Sequence, residues 1–300
     1  MFKELLPLWI KNLEKSGIQK ALETTANPDI ISFSLGRPDN DLLRLPELKD
    51  CYEELFSPQN LQYSPPSYEL KAHIAELMKE KQVFCTPEEI LLTTGAQQAM
   101  TLLTKLFANE GADILVDQLT YPGFIQVAQS MHLNLIPNPL CFQSGLHMKE
   151  LRQILEKNAR PSLMYTMSEG HNPLGTSLSK EQRIELTKLA KKYKIPIIED
   201  DAYGFLNYDP VNPPLKSYWK EGVFYIGSFS KILAPSMRTG WIIASEPIIE
   251  KLEILKEGLD INTSCFSQKL ITSCFEKGIL TERILKLRGA YKEKRDVMIY

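Results

Sequence analysis

The chain has 300 residues, which is enough for one large α/β domain or two smaller ones. Its 24% charged and 43% hydrophobic residues are ordinary for a globular protein, and its formal net charge is −2. The sequence shows neither the basic stripe typical of nucleic-acid binding nor an apolar run long enough to cross a bilayer. We therefore expect neither a nucleic-acid nor a membrane partner.

Residues 1–29 form an amphipathic arm in which lysines and glutamates alternate with leucines. The arm is either a helix on the surface of its own domain or a segment that packs on a partner subunit. The chain also contains five cysteines, an odd number without CxxC spacing. This pattern favours free thiols in a reducing cytoplasm over a disulfide framework or a metal site.

Short strand-like runs alternate with helical patterns along the rest of the chain. The predicted strands are Ile30–Leu35, Ile90–Thr94, Asp113–Asp117, Leu133–Ile136, Ser162–Met167, Pro196–Asp200, Val223–Phe229 and Trp241–Ala244. The predicted helices are Leu70–Lys81, Ala96–Ala108, Phe124–Met131, Lys149–Lys157, Lys180–Tyr193 and Ile248–Lys256. This alternation predicts an α/β fold with a mainly parallel sheet and helices on both faces. Ligands of such sheets gather at the carboxyl ends of the strands.

The first polar cluster follows the glycine-containing turn after the strand at Ile90. There, Thr94-Gly95-Ala96-Gln97 leads directly into a helix, whose free backbone N–H groups suit a phosphate. The turn matches neither the Walker A nor the GxGxxG pattern, which disfavours nucleotide binding. Tyr121 follows the next strand and either stacks on a flat ligand or covers the edge of the core.

Two further clusters follow the strands that end near Met167 and Asp200. Asn172 lies in an Asn-Pro turn, where it either donates to a ring oxygen or only initiates the turn; the neighbouring His171 either faces a substrate or is structural. In Asp200-Asp201-Ala202-Tyr203, one carboxylate could pair with a protonated ring nitrogen, while the other caps a helix.

The last cluster is Ser228-Phe229-Ser230-Lys231 at the end of a buried strand, with Arg238 seven residues later. A lysine beside apolar groups loses its proton more easily than one in water, and a neutral amine can attack an aldehyde. The two serines and Arg238 could hold a phosphate.

Taken together and in this order, these motifs resemble the class I/II aminotransferases, pyridoxal-phosphate (PLP) enzymes of the aspartate-aminotransferase fold. The resemblance extends from Gly36-Arg37-Pro38 to the segment around Arg288, and it is greatest to the kynurenine/2-aminoadipate branch. It implies a PLP-dependent enzyme that transfers an amino group between an amino acid and a 2-oxo acid. It also implies a PLP-binding large domain at residues 30–285, and a helix from residue 286 to 300 that leads to a small domain not present.

The resemblance implies a role for each motif residue. Lys231 would hold the cofactor as a Schiff base and move the proton, Asp200 would pair with the ring nitrogen, and Tyr203 would complete the catalytic set. The remaining cofactor contacts would be Ala96, Gln97, Tyr121, Asn172, Ser228, Ser230, Arg238 and, from a partner subunit of a homodimer, Tyr63. Gly36 would lie beside the substrate carboxylate.

Two departures from the family pattern bear on these roles. Tyr63 lacks the glycine that usually precedes the following helix. The chain also stops at Tyr300, before the arginine that clamps the substrate carboxylate in this family. We therefore expect this chain to bind PLP but to transaminate slowly, unless another residue such as Arg37 supplies the clamp.

Two other functions remain open at this stage. One is a different PLP reaction on the same fold, such as β-elimination or decarboxylation. The other is a non-catalytic ligand-sensing module, because the same domain serves as the effector half of some bacterial transcription regulators.

Overall fold

The computed structural model describes residues 2–11, 17–25, 27, 29–30, 36–51, 55–56, 58–141, 145–157, 160–208 and 212–299. The strands in chain order are β1 Ile90–Thr93, β2 Asp113–Asp117, β3 Asn134–Asn138, β4 Leu140–Cys141, β5 Gly145–Leu146, β6 Leu163–Thr166, β7 Ile197–Asp200, β8 Val223–Ser228 and β9 Gly240–Ile243. Seven of them form one sheet in the order β1-β9-β8-β7-β6-β2-β3, and β4 pairs only with β5.

The large sheet is mainly parallel, as the sequence predicts. The four neighbouring pairs from β3 to β8 run parallel, whereas β9 runs antiparallel to both β8 and β1. The chain returns from β8 to β9 through a short loop without a crossover helix. A parallel neighbour would need a longer crossover connection, so this loop enforces the antiparallel pairing.

Helices surround the sheet. In chain order they are α1 Leu8–Lys11, α2 Gly17–Thr24, α3 Tyr68–Lys79, α4 Gly95–Phe107, α5 Pro122–Ser130, α6 Met148–Glu156, α7 Lys180–Tyr193, α8 Leu215–Tyr218, α9 Glu246–Asp260, α10 Cys265–Glu276 and α11 Ile279–Ile299. Short 3-10 turns occur at Phe2–Leu5, Asp41–Leu43, Pro46–Cys51, Pro58–Leu61, Pro87–Glu89 and Pro235–Met237.

Both faces of the sheet are covered, because alternate strand residues enter different cores. Ile198 and Ile226 pack in a cluster with residues of α4, α5 and α9. Ile197 packs on the opposite face with residues of α6 and α7. On that same face, toward the β1 end, Tyr225 and Trp241 pack with residues of α3, α10 and α11. Burial on both faces explains why these strands read as continuous apolar runs.

The predicted elements match the structure apart from the first strand. The predicted strand Ile30–Leu35 lies outside the described residues apart from Ile30, which is not in a strand. The short elements β4, β5 and α8, the helix α10 and the first part of α11 were not predicted from the sequence. In α11 the buried residues Leu280, Ile284 and Leu287 lie only in the N-terminal half, so the helix lacks a continuous apolar stripe.

Across the described part of the chain, no helix is both long enough and apolar enough to span a membrane. In the same residues, no group of three or more His, Cys, Asp or Glu side chains is arranged to hold a metal ion.

A buried ion pair ties α3 to the end of β7. Lys81, just after α3, pairs with Asp201, and both side chains are almost fully buried. The hydroxyl of Tyr225 also donates to Asp201 Oδ2 at 2.8 Å. The Lys81 ammonium lies 4.8 Å from the centre of the Phe205 ring. These contacts place the end of β7 relative to the helices beneath it.

We expect Lys81→Met to lower the free energy of unfolding by about 3–5 kcal/mol, because it leaves a buried carboxylate without its cation. Denaturant titration measures this loss. Lys79→Met is the matched control: Lys79 pairs with Glu76 on the surface, and loss of an exposed pair should cost less than about 1 kcal/mol. Equal losses in the two variants would contradict the assigned role of the buried pair.

Candidate active site

One end of the site is built around the turn between β1 and α4. Gly95 opens α4 with a φ of +77°, a conformation that favours glycine. A Cβ at this position would lie 2.6 Å from Arg238 Nη2, so the guanidinium rests directly against the turn. Gly240 packs closely on the same turn, where a Cβ would lie 3.2 Å from the Ala96 nitrogen. The positive helix end and the arginine therefore point to one place, as an anion site requires.

The two serines before Lys231 approach the same turn. Ser228 ends β8 and lies opposite Gly240, which lies opposite Thr93 of β1. The backbone N–H of Ser230 donates to Ser228 Oγ at 3.2 Å, which fixes the loop that leads to Lys231. The Gln97 side chain donates to the Gly123 carbonyl at 2.9 Å, so it joins α4 to the loop of Tyr121.

Asp200 lies at the other end of the site, at the end of β7. Its side chain faces the same core as Ile198, and Oδ2 accepts a hydrogen bond from the Tyr165 hydroxyl at 2.8 Å. Its other oxygen, Oδ1, is buried without a hydrogen-bond partner. Burial raises the pKa of Asp200 to about 6, against the opposing effect of the Tyr165 hydrogen bond. An acceptor in this state suits a cationic N–H group.

Lys231, Tyr203 and Gly36 lie close together. Lys231 Nζ donates to the Gly36 carbonyl at 2.9 Å and lies 5.7 Å from the centre of the Tyr203 ring. Burial, aided by the charge of Arg238, lowers the pKa of Lys231. A Cβ on Gly36 would lie 3.4 Å from the Tyr203 hydroxyl, so the backbone approaches the tyrosine closely.

Tyr203 and Tyr121 complete the group. Burial raises the pKa of Tyr203 to about 12, and Asp200 adds to this effect, while a hydrogen bond with the Asn172 side chain opposes it. Burial likewise raises the pKa of Tyr121, and the charges of Asp200 and Arg238 also act on it. Both phenols therefore remain protonated donors at neutral pH.

Tyr63 does not join this group within the chain. Its side chain is 89% exposed. Arg37, the alternative carboxylate clamp, is exposed too, and its Nη1 lies 3.5 Å from Thr25 Oγ1.

Three residues that contact the candidate site residues were not predicted from the sequence. Tyr165 holds Asp200, Lys81 neutralises Asp201, and Asp117 contacts His171. A polar residue inside an otherwise apolar strand was the available signal for Tyr165 and Asp117. For Lys81 no such signal exists, because it is separated from Asp201 by 120 positions.

The arrangement fits PLP on three observations of this structure. Because Gly95 has no Cβ, the Arg238 guanidinium can approach the start of α4 directly. Asp200 presents a buried acceptor without a partner. Lys231 lies near Tyr203 and has a pKa lowered by burial and by the charge of Arg238. Phosphate, ring nitrogen and aldehyde would each have a chemically matched group.

Asp200 should lower the stability of the cofactor-free protein at neutral pH. Its pKa is about 6 in the folded chain against an ordinary value of 3.8. Between these values the folded chain holds more protons than the unfolded one, so the free energy of unfolding falls as pH rises through this window. Asp200→Asn has no proton to lose and keeps an acceptor for Tyr165. We expect it to be about 1–3 kcal/mol more stable than the unsubstituted protein at pH 7.

Denaturant titrations of the cofactor-free proteins at about pH 4 and pH 7 measure the difference. The control is Asp113→Asn, since Asp113 is an exposed acid at the start of β2. If Asp200→Asn and Asp113→Asn respond alike to pH, burial does not destabilise the Asp200 carboxylate.

Comparisons with known proteins agree with this geometry. A profile of the family described as aminotransferase class I and II matches residues 28–299. Aromatic-amino-acid aminotransferase 1 of Thermococcus litoralis is 33% identical over 96% of this chain and 72% of its own length. YisV of Bacillus subtilis, named as an uncharacterized HTH-type transcriptional regulator, is 31% identical over 97% of this chain and 61% of its own length.

A solved structure is similar over the whole chain. LysN of Thermus thermophilus, an α-aminoadipate aminotransferase complexed with N-(5'-phosphopyridoxyl)-L-leucine, superposes with a TM-score of 0.90. LysN is 29% identical to this chain, and the superposition covers 100% of this chain and 76% of the LysN chain. These relatives confirm the expected family and the 2-aminoadipate branch.

Proposed function

Because the chain belongs to the class I and II aminotransferases, which transfer amino groups with PLP, we propose that Lys231, Asp200 and Tyr203 carry that reaction here. The observation that carries the proposal is the position of Lys231. Burial and the charge of Arg238 lower the pKa of its amine, and the amine lies 5.7 Å from the centre of the Tyr203 ring, a phenol whose pKa the charge of Asp200 helps to raise.

PLP, when bound, supplies an aldehyde that bonds to an amine and a ring that withdraws electrons from the substrate α-carbon. The chain supplies the rest. Asp200 Oδ1 would hold the proton on the ring nitrogen, and Tyr203 and Asn172 would hold the ring oxygen. The phosphate would be held by Ala96, Gln97, Ser228, Ser230 and Arg238, and Tyr121 would cover the ring face.

Lys231 has two tasks in this proposal. Its Nζ would hold the cofactor until the amino group of the substrate displaces it. The released amine would then accept the proton from the substrate α-carbon and deliver it on the cofactor side. A lowered pKa suits both tasks, because a neutral amine is a nucleophile and a base.

The substrates proposed are amino acids and 2-oxo acids, with Gly36 beside the substrate carboxylate. Aromatic amino acids, leucine and 2-aminoadipate are the donors to assay first, because the names of the relatives point to them. A cytoplasmic role in amino-acid metabolism accords with the free thiols of Cys51, Cys85, Cys265 and Cys274.

Ligand sensing without catalysis is the second candidate, favoured by the similarity to YisV. The two functions differ in the form of the cofactor that remains after an amino acid is added. Transamination converts the bound cofactor to its amine form when an amino acid is added, whereas a sensor would bind the amino acid and leave the cofactor as the aldehyde form. Absorption spectra before and after addition of a donor separate the two.

Borohydride reduction of the protein with PLP should fix the cofactor on Lys231, because its amine is near the anion site and half-buried. Peptide mapping locates the label. Lys216 is the internal control: burial lowers its pKa to about 8, but its Nζ already donates to the carbonyls of Lys220 and Val223. Lys231→Ala should abolish labelling, and a label on Lys216 would refute the assignment.

We further propose a homodimer in which Tyr63 reaches the phosphate of the partner subunit, since its side chain is exposed and outside its own site. Lys231→Ala and Tyr63→Ala should each be impaired alone. Mixed after unfolding and refolding, they should regain about a quarter of the normal activity, because about half of the dimers are mixed and each has one intact site.

The control for this mixing experiment is the pair Lys231→Ala and Asp200→Asn. Each of these residues is proposed to act in the site of its own subunit. Their mixed dimers contain no intact site, so activity should not return. Recovery in the control, or none with Tyr63→Ala, would contradict the shared site.

A further inference from the structure

Asn172 sits on a loop whose buried polar side chains are anchored to the sheet. Ser168 Oγ donates to Glu199, and Glu169 pairs with the buried Arg183. His171 is 5% exposed, and its Nε2 lies 3.3 Å from Asp117 Oδ2. His171 therefore turns into the protein, away from a substrate, and Asn172 is left to point toward Tyr203.

Asp117 connects this loop to the loop of Tyr121. Its carboxylate accepts from Thr166 Oγ1 at 2.9 Å and from the backbone N–H of Met167 at 3.3 Å. Its backbone carbonyl accepts from the hydroxyl of Thr120, the residue before Tyr121. One residue at the end of β2 thus anchors the two segments that would hold the ring oxygen and cover the ring face.

The backbone of His171 is fixed as firmly as its side chain. Its N–H donates to the Thr176 carbonyl at 2.8 Å, and its own carbonyl accepts from the N–H of Gly175. The imidazole Nδ1 is buried without a hydrogen-bond partner. A buried polar atom without a partner destabilises the fold. The Asp117 contact is therefore the one polar interaction among the described residues that explains an imidazole at this position.

We propose that Asp117 and His171 are positioning residues, which set the place of Asn172 against Tyr203 and so the strength with which the ring oxygen of the cofactor is held. The inference rests on the proposed roles of Asn172 and Tyr203. Neither Asp117 nor His171 needs to touch the cofactor. The contact between His171 Nε2 and the Asp117 carboxylate holds the imidazole ring, and the next residue, Asn172, follows the position of this ring.

The pH titration of the cofactor–lysine bond reports this effect. Donors to the ring oxygen stabilise the form in which the oxygen is negative and the bond nitrogen is neutral. Weaker donation from Asn172 therefore raises the pH at which the absorption band changes. We expect His171→Leu to shift this midpoint upward by about half to one pH unit, as for the loss of one hydrogen bond to a charged oxygen.

His171→Gln is the conservative variant, because its amide can donate to Asp117 at a similar reach. It should restore the midpoint most of the way, and Asp117→Asn should shift it in the same direction as His171→Leu. Leu155→Ala controls for general instability, since Leu155 is buried in α6 within a different core cluster. It should lower the melting temperature and leave the midpoint unchanged.

Hydrogen exchange of the cofactor-free proteins gives a second readout that needs no activity. The loop of residues 167–176 should exchange faster in His171→Leu than in His171→Gln, while α9 should exchange at the same rate in both. Unchanged midpoints and unchanged exchange in His171→Leu overturn the positioning role. If the unsubstituted protein forms no cofactor–lysine bond, the proposed function itself fails and the positioning role fails with it.

Discussion

Three buried acids in a row at the end of β7 impose the constraint on which the site depends. Like charges this close in the interior repel, so each carboxylate must find its own partners or its own proton. The strand separates them, because Glu199 and Asp200 point to opposite faces of the sheet. Glu199 accepts from Ser168 and from the backbone N–H groups of Leu215 and Lys216. Asp201 takes Lys81 and Tyr225.

In the described part of the chain, Asp201 has a cationic partner in Lys81, whereas Asp200 has none. Tyr165 donates to one oxygen of Asp200, and its other oxygen has no side-chain partner; Asp201 Oδ1 is unpartnered too, but Oδ2 of Asp201 binds the lysine. Burial without a cation raises the pKa of Asp200, against the hydrogen bond from Tyr165. A cationic ring nitrogen would supply the missing donor and charge. A stability cost in the cofactor-free protein is thus linked to affinity for the cofactor, as is common where binding groups are preorganised.

The two faces of the sheet carry different parts of the surrounding hydrogen-bond network. On the face shared with Ile198, Asp200 and Tyr165 turn toward the cofactor site. On the opposite face, Asp117, Thr166 and Glu199 hold the loops that leave the strand ends. Side chains proposed to contact the cofactor are therefore supported by side chains on the opposite face of the sheet, through the backbone of the same loops.

The sequence by itself determined the alternation of strands and helices, because apolar runs between turn residues need no knowledge of their neighbours. It also predicted the roles proposed for Lys231, Asp200, Tyr203 and Arg238, since their motifs are local and lie at strand ends. The same local pattern left α10 and the first part of α11 unpredicted, because the buried residues of these helices do not form one continuous apolar stripe.

Only the tertiary structure gives a physical reason to prefer Asp200 over Asp201, a choice that the sequence supported by resemblance alone. Lys81, which is 120 positions away in sequence, pairs with Asp201 and neutralises its charge. The antiparallel pairing of β9 and the contact of Asp117 with His171 were likewise decided only by the tertiary structure. Each depends on residues distant in sequence, and the free energy of a buried charge is set by the partners that folding brings to it.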